Sequence, residues 1–243
     1  MEKLDALSVF FPAYNEEANI EATVTKALKI IPQVAKKWEV MVIDDGSTDK
    51  TGEIVRSLIK KESRIRLITH TPNRGYGAAL KSGLYHSQYP WIVFTDGDGQ
   101  FDFSEVTEFI KTQQETKADL VIGYYLKRQV PFYRIWGSKY LWQPAVYFLF
   151  GLKVKDIDCG FKMIKKEVIE KIPALESERG PFITSELLIK AKKAGFKIVE
   201  IGVRHLPRQE GQATGASLKV ILGGLTDLFR LRKKLKKLKN EDI

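Results

Sequence analysis

Short apolar runs alternate with stretches of helical spacing over the first hundred residues, and this alternation restricts the fold more than any other feature of the chain. The apolar runs, which predict strands, are LSVFF (7–11), EVMVI (39–43), IRLI (65–68) and WIVFT (91–95). The stretches of helical spacing are 16–31, 51–61 and 77–86. Strands and helices in this order form right-handed βαβ units, so the sequence predicts an α/β fold with a mostly parallel sheet.

Three of the predicted strands are followed directly by polar segments. These segments are PAYNEE (12–17), DDGSTD (44–49) and DGDGQFD (96–102). In open α/β sheets, ligands bind beyond the carboxyl ends of the strands. We therefore expect the three segments to meet at one binding site.

The third segment carries the chemistry of a metal site. Asp96 and Asp98 are separated by one residue, and Gly97 and Gly99 make a sharp turn between them inexpensive. Carboxylates at a strand end suit Mg²⁺ or Mn²⁺, which proteins usually share with substrate phosphates. An ordinary turn is the alternative, since aspartate and glycine are turn residues in any case.

Charge content restricts the classes of binding partner, and cysteine content indicates the compartment. The net charge is +10, and seven of the forty lysines and arginines lie within residues 230–239. A basic tail suits anionic lipid, nucleic acid or an acidic partner. Cys159 is the only cysteine, which excludes an intrachain disulfide and favours a reducing compartment. We expect neither a signal peptide nor a membrane-spanning helix, because no long apolar run is present.

Four motifs in order carry a resemblance to a known family. VFFPAYNEEANI, VIDDGSTDKT, NRGYGAALKSG and FTDGDGQFD resemble the motifs of family 2 glycosyltransferases, and within them those of the polyprenyl-phosphate hexose synthases. The resemblance covers residues 7–231. It implies the GT-A (Rossmann-like) nucleotide-diphospho-sugar transferase fold. It also implies inverting transfer of a hexose from GDP-mannose or UDP-glucose to polyprenyl (dolichyl) phosphate, with Mg²⁺ or Mn²⁺ as cofactor.

The resemblance also implies roles for individual residues. The nucleotide pocket would be lined by Pro12, Tyr14 and Glu16, with Ile43 and Asp45 holding the base or ribose. The metal and ribose site would consist of Asp96, Gly97 and Asp98, with Gln100 as a further metal ligand, and Arg208 would contact the donor diphosphate. Asp98 and Arg208 would be the catalytic residues.

The acceptor is predicted from a missing acid pair. Family members that glycosylate hydroxyls carry a catalytic aspartate in an acidic pair at the start of a late helix, but ITSELLIKA (183–191) offers only Glu186. A phosphate acceptor is already ionised and needs no general base, so we expect a lipid phosphate. Candidate acceptor-phosphate contacts are Arg128, Arg134 and Lys139. The alternative is a hydroxyl acceptor with Glu186 as base.

Two departures weaken the match to the mannose synthases. Thr214 stands where they favour lysine, and Tyr125 where they favour arginine. DCGFK (158–162) is more similar to the glucosyl-transferring relatives, so the sequence leaves the sugar open.

Two segments suggest a membrane surface. Aromatic side chains at 132, 133, 136, 140 and 142 suit the headgroup zone, and residues 217–243 predict an amphipathic basic C-terminal helix. Core packing is the alternative for both. We expect a single glycosyltransferase domain over 1–216, with a nucleotide-sugar and metal half (1–103) and an acceptor half (104–216).

The predicted location is the cytoplasmic face of a membrane, to which the protein binds peripherally, with recruitment by a separate membrane subunit as a further hypothesis. Binding of nucleic acid is not expected, because it leaves the acidic strand ends unexplained. The non-enzymatic alternatives are a basic nucleic-acid-binding α/β protein and a sugar-nucleotide sensor.

Overall fold

The computed structural model describes residues 1–127, 142–178, 180, 182–207 and 227–236. Within them lies one seven-stranded sheet of order β3-β2-β1-β4-β6-β5-β7. Its strands are β1 (Leu4–Ala13), β2 (Ala35–Asp44), β3 (Ile65–Thr69), β4 (Trp91–Phe94), β5 (Leu120–Tyr125), β6 (Lys162–Lys165) and β7 (Ile198–Val203). Only β6 among them runs antiparallel to its neighbours, β4 and β5. The mostly parallel α/β sheet predicted from the sequence is confirmed.

Helices cover both faces of this sheet. They are α1 (Ile20–Val34), α2 (Thr51–Lys61), α3 (Tyr76–His86), α4 (Val106–Thr116), α5 (Gln143–Phe150), α6 (Lys166–Lys171) and α7 (Phe182–Lys193), with residues 227–236 also helical. One core lies under α1, α2 and α4. The other lies under α3, α5, α6, α7 and the C-terminal helical segment. The central strands are therefore buried on both sides, whereas the edge strands β3 and β7 are mostly half-buried.

Burial on both faces explains the continuous apolar runs in the sequence. In β1, Val9 and Phe11 enter the first core, whereas Phe10 between them enters the second. Val93 in β4 likewise faces the first core, and Phe94 faces the second. A strand with two buried faces needs apolar residues at successive positions, rather than at every other one.

Two elements escape sequence reasoning. Strand β6 has only four residues and is bounded by Lys162 and Lys165, so it lacks an apolar run. Helix α4 is amphipathic, but only Val106, Phe109 and Ile110 along it are buried. Strand β6 forms by pairing with both β4 and β5, and these partners are distant in sequence.

The C-terminal helical segment packs on the protein body over the part that the structure describes. Leu228, Leu231 and Leu235 are buried in the second core, whereas Phe229 is 61% exposed. Core packing and an exposed basic surface therefore coexist on residues 227–236. The boundary between the domain and the C-terminal helix at 216/217 stays a prediction. Among the described residues, no helix is long and apolar enough to cross a membrane.

Candidate active site

The strand order reverses between β1 and β4, which makes their carboxyl ends the switch point of the sheet. From β1 the chain proceeds to β2 and β3 on one side, and then to β4 on the other. The polar segments meet there, because the Gly97 amide donates to the Pro12 carbonyl (3.1 Å) and the Asp45 amide donates to the Ala13 carbonyl (2.9 Å). Ligands of open α/β sheets bind at this position.

Asp96 is held from two sides. The Tyr76 hydroxyl donates to Asp96 Oδ1 at 2.9 Å. On the other side, a Cβ placed on Gly160 would lie 2.3 Å from Asp96 Oδ2, so any larger residue would have to displace this carboxylate oxygen. The two carboxylate oxygens thus face different neighbours, Tyr76 at Oδ1 and Gly160 at Oδ2.

The charge balance at Asp96 favours a cation. Burial and the neighbouring Asp98 carboxylate raise the pKa of Asp96 to about 7, although the Tyr76 hydrogen bond and the charge of Lys162 act in the opposite direction. Lys162 is fully buried, and its Nζ donates to the carbonyls of Ile157 (3.2 Å) and Cys159. One buried lysine thus does not offset two adjacent aspartates, and a divalent cation would complete the balance.

Asp98 and Gln100 are connected to the segment that follows β7. Asp98 Oδ1 accepts from the Gln100 amide at 3.0 Å. Gln100 Nε2 donates to the Leu206 carbonyl at 3.1 Å, and the Leu206 amide donates to the Gln100 carbonyl at 2.8 Å. The side-chain nitrogen of Gln100 is thus engaged with Leu206, and a metal would be bound through the amide oxygen. Arg208, two residues beyond Leu206, lies outside the described residues.

The donor set fits a hard divalent cation that is shared with a substrate. Within the described ranges, no group of three or more histidine, cysteine, aspartate or glutamate side chains could enclose a metal. Two carboxylates suit Mg²⁺ or Mn²⁺, whose remaining positions are usually taken by phosphate oxygens and water. Asp96 and Asp98 would hold the cation, with Gln100 as a third oxygen donor.

Asp45, predicted to hold the base or ribose, is buried and organises the neighbouring loop. It accepts hydrogen bonds from His70 Nδ1 (2.6 Å) and from the amides of Arg74 (3.1 Å) and Gly75 (2.7 Å). A carboxylate has about four lone-pair positions, so one remains for a ribose or base donor. His70 in turn contacts Ser82 Oγ through Nε2 at 2.8 Å.

The remaining predicted nucleotide residues lie at the same edge of the sheet. Tyr14 is 38% exposed and presents its ring at the surface. Pro12 and Ile43 are buried, and the Pro12 carbonyl accepts from the Gly97 amide. The Glu16 carboxylate accepts from Asn19 Nδ2 at 2.8 Å, and its charge contributes to the raised pKa of Asp96.

Glu186, the alternative general base, is fully engaged inside the protein. It is 2% exposed, and it accepts from the amides of Glu176 (3.0 Å) and Ser177 (2.9 Å) and from Lys190 Nζ (2.5 Å). Burial opposes its ionisation, but the hydrogen bonds from Lys190 and Ser177 outweigh burial and hold the pKa of Glu186 below its usual value. Glu186 thus anchors the loop before α7, and the structure argues against a role as base.

Sequence reasoning missed Tyr76, His70, Gly160 and Lys162 as parts of the site. Tyr76 lies in NRGYG, and Gly160 and Lys162 lie in DCGFK, so the motifs were visible while their contacts with Asp96 were not. The candidate acceptor contacts Arg128, Arg134 and Lys139 lie outside the described residues, and their roles stay predictions.

The fold and site define a class of protein. A mostly parallel sheet with paired aspartates at its switch point is the arrangement of a nucleotide-diphospho-sugar transferase of the GT-A type, as the resemblance implied. The sequence model of glycosyl transferase family 2 matches residues 8–173. The chain therefore belongs to glycosyl transferase family 2.

Curated relatives and solved structures agree with this assignment. The chain is 33% identical to a dolichyl-phosphate beta-glucosyltransferase of Dictyostelium discoideum, over 81% of this chain and 65% of that protein. It is 30% identical to the Saccharomyces cerevisiae protein of the same name, over 81% of this chain and 66% of that protein. The chain thus spans slightly less than two thirds of these relatives.

Among solved structures, glucosyl-3-phosphoglycerate synthase from Mycobacterium tuberculosis superposes with a TM-score of 0.72. The identity is 20%, and the match covers 94% of this chain and 80% of that one. A second structure of that enzyme, in complex with Mn²⁺, UDP and glucosyl-3-phosphoglycerate, superposes with a TM-score of 0.65 at 21% identity, over 94% of this chain and 76% of that one. At this identity the likeness concerns the fold.

Proposed function

We propose that this chain is a metal-dependent, inverting hexosyltransferase that transfers glucose from UDP-glucose to a polyprenyl phosphate such as dolichyl phosphate. The observation that most directly supports this proposal is the pair of Asp96 and Asp98 at the switch point of the sheet, with Asp45 and Glu16 beside it. Family membership and the two dolichyl-phosphate beta-glucosyltransferases among its relatives support the reaction and the sugar.

The donor side would use the residues at the carboxyl edge of the sheet. Asp96, Asp98 and Gln100 would hold Mg²⁺ or Mn²⁺, which would stabilise the leaving diphosphate. Asp45 would accept a hydrogen bond from the base or ribose, and Tyr14 would cover it. Arg208 would neutralise diphosphate oxygens, a task that suits the planar guanidinium.

The state of the late helix supports a phosphate acceptor. Glu186 is already bonded to three N–H donors, and Thr184, two residues earlier, is 1% exposed and carries no acid. A phosphate monoester is largely ionised at neutral pH, so it can attack the anomeric carbon without a base. Arg128, Arg134 and Lys139 remain the proposed acceptor contacts.

A membrane surface is the proposed working location, on its cytoplasmic face. The segment 227–236 exposes Arg230, Lys233 and Lys236 on the side away from its buried leucines. Basic side chains of this kind are attracted to anionic lipid headgroups. The aromatic residues near 132–142 and a separate membrane subunit stay predictions.

A transfer assay tests this proposal. Radiolabelled UDP-glucose, GDP-mannose and UDP-N-acetylglucosamine are offered separately with a short polyprenyl phosphate, in the presence of Mn²⁺ or of a chelator. We expect label in the lipid from UDP-glucose, lost with chelator and in Asp98→Asn. Asp5→Asn, an exposed aspartate of β1, is the matched control and keeps full activity.

Three outcomes would contradict the proposal in different ways. Label in the lipid from GDP-mannose alone would overturn the proposed sugar, glucose, and the proposed nucleotide base, uracil. Transfer that persists with chelator and in Asp98→Asn would overturn the metal role. Nucleotide binding without transfer from any donor would move the function to another acceptor or to a sensor.

A further inference from the structure

Two adjacent residues at the start of α3 connect the two acidic parts of the site. The Gly75 amide donates to Asp45 Oδ2 at 2.7 Å, and the Tyr76 hydroxyl donates to Asp96 Oδ1 at 2.9 Å. Asp45 belongs to the proposed nucleotide pocket at the end of β2, whereas Asp96 belongs to the proposed metal site at the end of β4. A single peptide unit therefore separates the contacts with the two carboxylates.

The start of α3 is tied firmly to Asp45. His70 contacts Asp45 through Nδ1 (2.6 Å) and Ser82, on the second turn of α3, through Nε2 (2.8 Å). On the opposite side, the Ala78 amide donates to the Glu178 carbonyl at 2.9 Å. A displacement of Asp45 must therefore shift α3, and with it the Tyr76 hydroxyl.

Asp96 has little freedom to compensate for such a shift. Gly160 lies against its Oδ2, where even a methyl group would come within 2.3 Å. The orientation of its carboxylate therefore depends on the hydroxyl that bonds its Oδ1. Hydrogen-bond donors that contact a metal ligand from behind orient that ligand and affect metal affinity.

We propose that Tyr76 is a positioning residue that couples nucleotide binding at Asp45 to metal binding at Asp96. The inference deepens the proposed function and rests on it. Coupling between two sites is reciprocal: the metal strengthens nucleotide binding by the same factor by which nucleotide strengthens metal binding. A tyrosine that only supplies a hydrogen bond to the Asp96 carboxylate would affect stability and leave this factor unchanged.

The experiment is calorimetric titration of UDP and of GDP into the protein, with and without Mn²⁺. For Tyr76→Phe we expect the ratio of dissociation constants without and with Mn²⁺ to fall by about tenfold. The affinity for nucleotide alone should stay within about threefold, because the ring and the pocket remain. Tyr147→Phe, which changes an exposed tyrosine of α5, is the matched control and keeps the wild-type ratio.

The outcomes separate the inference from the function on which it rests. A wild-type ratio in Tyr76→Phe, with or without a lowered melting temperature of the metal-free protein, would overturn the inference alone. Failure of the wild type to bind either nucleotide more tightly with Mn²⁺ would overturn the proposed function as well. If Tyr76→Phe does not fold, His70→Gln is the second variant, because it disturbs the contacts of His70 with Asp45 and with Ser82 of α3. An unchanged ratio in that variant would equally overturn the coupling.

Discussion

Asp96 shows how the surroundings of one residue prepare a site. Its carboxylate lies between the Tyr76 hydroxyl, the bare backbone of Gly160 and the buried ammonium of Lys162. Tyr76 begins α3, whereas Gly160 and Lys162 belong to the DCGFK segment that leads into β6. The proposed metal site at Asp96 thus depends on residues that lie far from DGDGQ in sequence.

Gly160→Ala tests the steric part of this arrangement. The new Cβ would overlap Asp96 Oδ2 and force the carboxylate to turn. We expect Mn²⁺-dependent nucleotide affinity to fall by at least about tenfold, the effect of disturbing a metal ligand's support. Titration calorimetry of UDP in the presence of Mn²⁺ measures it.

The control for that variant is Gly195→Ala. Gly195 has a positive φ of 84° but open space around it, so alanine costs about 1 kcal/mol of backbone strain without touching the site. It should lower the melting temperature and keep nucleotide affinity. Wild-type affinity in Gly160→Ala would show that the contact with Asp96 is relieved elsewhere.

Glu186 and Lys190 form a buried ion pair whose loss is expected to affect stability rather than chemistry. Both side chains are 2% exposed. Glu186→Gln leaves the Lys190 charge uncompensated, so the free energy of unfolding should fall by about 3 kcal/mol. Urea denaturation measures the loss, and transfer activity per folded molecule should stay within a few-fold.

The double variant Glu186→Gln/Lys190→Met provides the control. Removal of both charges should recover much of the lost stability, since a buried ion pair can be replaced by apolar packing at little cost. If Glu186→Gln instead abolishes transfer while the protein remains folded, Glu186 is the general base and the acceptor is a hydroxyl.

The same residue predicts a pH dependence. The folded-state pKa of Glu186 lies below its ordinary value of 4.5. Its contribution is therefore fully present above pH 4.5 and is lost as the pH falls through the folded-state pKa. Urea midpoints from about pH 7 to about pH 3 should show the difference between wild type and Glu186→Gln shrinking in acid. A constant difference would contradict this.

At the scale of elements, the C-terminal helical segment has two different sides. Leu228 is fully buried against the second core, whereas the adjacent Phe229 is 61% exposed. Leu228→Ala should lower the free energy of unfolding by about 2 kcal/mol or more. Phe229→Ala should change it by less than about 0.5 kcal/mol. Equal effects in urea denaturation would mean that the segment does not pack stably.

At the scale of the whole molecule, the net charge of +10 predicts salt-sensitive binding to anionic membranes. Vesicles containing phosphatidylglycerol should bind the protein at low salt and release it at high salt, because exposed charges are screened over about 8 Å at physiological ionic strength. Vesicles of phosphatidylcholine alone should bind it poorly. Co-sedimentation measures both.

A pair of triple variants tests which basic surface is responsible. Serine at Arg230, Lys233 and Lys236 should weaken vesicle binding by roughly 100-fold, at about 1 kcal/mol per charge. Serine at Lys37, Lys60 and Lys61, which are exposed on β2 and α2, removes the same charge elsewhere and should have a smaller effect. If the second triple variant instead weakened vesicle binding more than the first, the membrane surface would be the face that carries Lys37, Lys60 and Lys61.

Local sequence patterns are sufficient to predict the parallel sheet, the positions of β1 to β4 and the three acidic strand ends. These follow from local patterns, since a strand buried on both faces must be apolar throughout and a ligand site at the sheet edge must be polar. For the same reason Asp45, Asp96 and Asp98 could be found without a structure.

The residues that surround those carboxylates become visible only in the folded chain. Tyr76, Gly160 and His70 are separated in sequence from their partners Asp96 and Asp45, and strand β6 is inserted out of chain order beside β4. Glu186 shows the same limit. Its position in the sequence suggests a general base, whereas its three hydrogen bonds show that it anchors the loop before α7. The physical reason is that strand pairing and packing bring distant residues together, and no local pattern in a single sequence records these contacts.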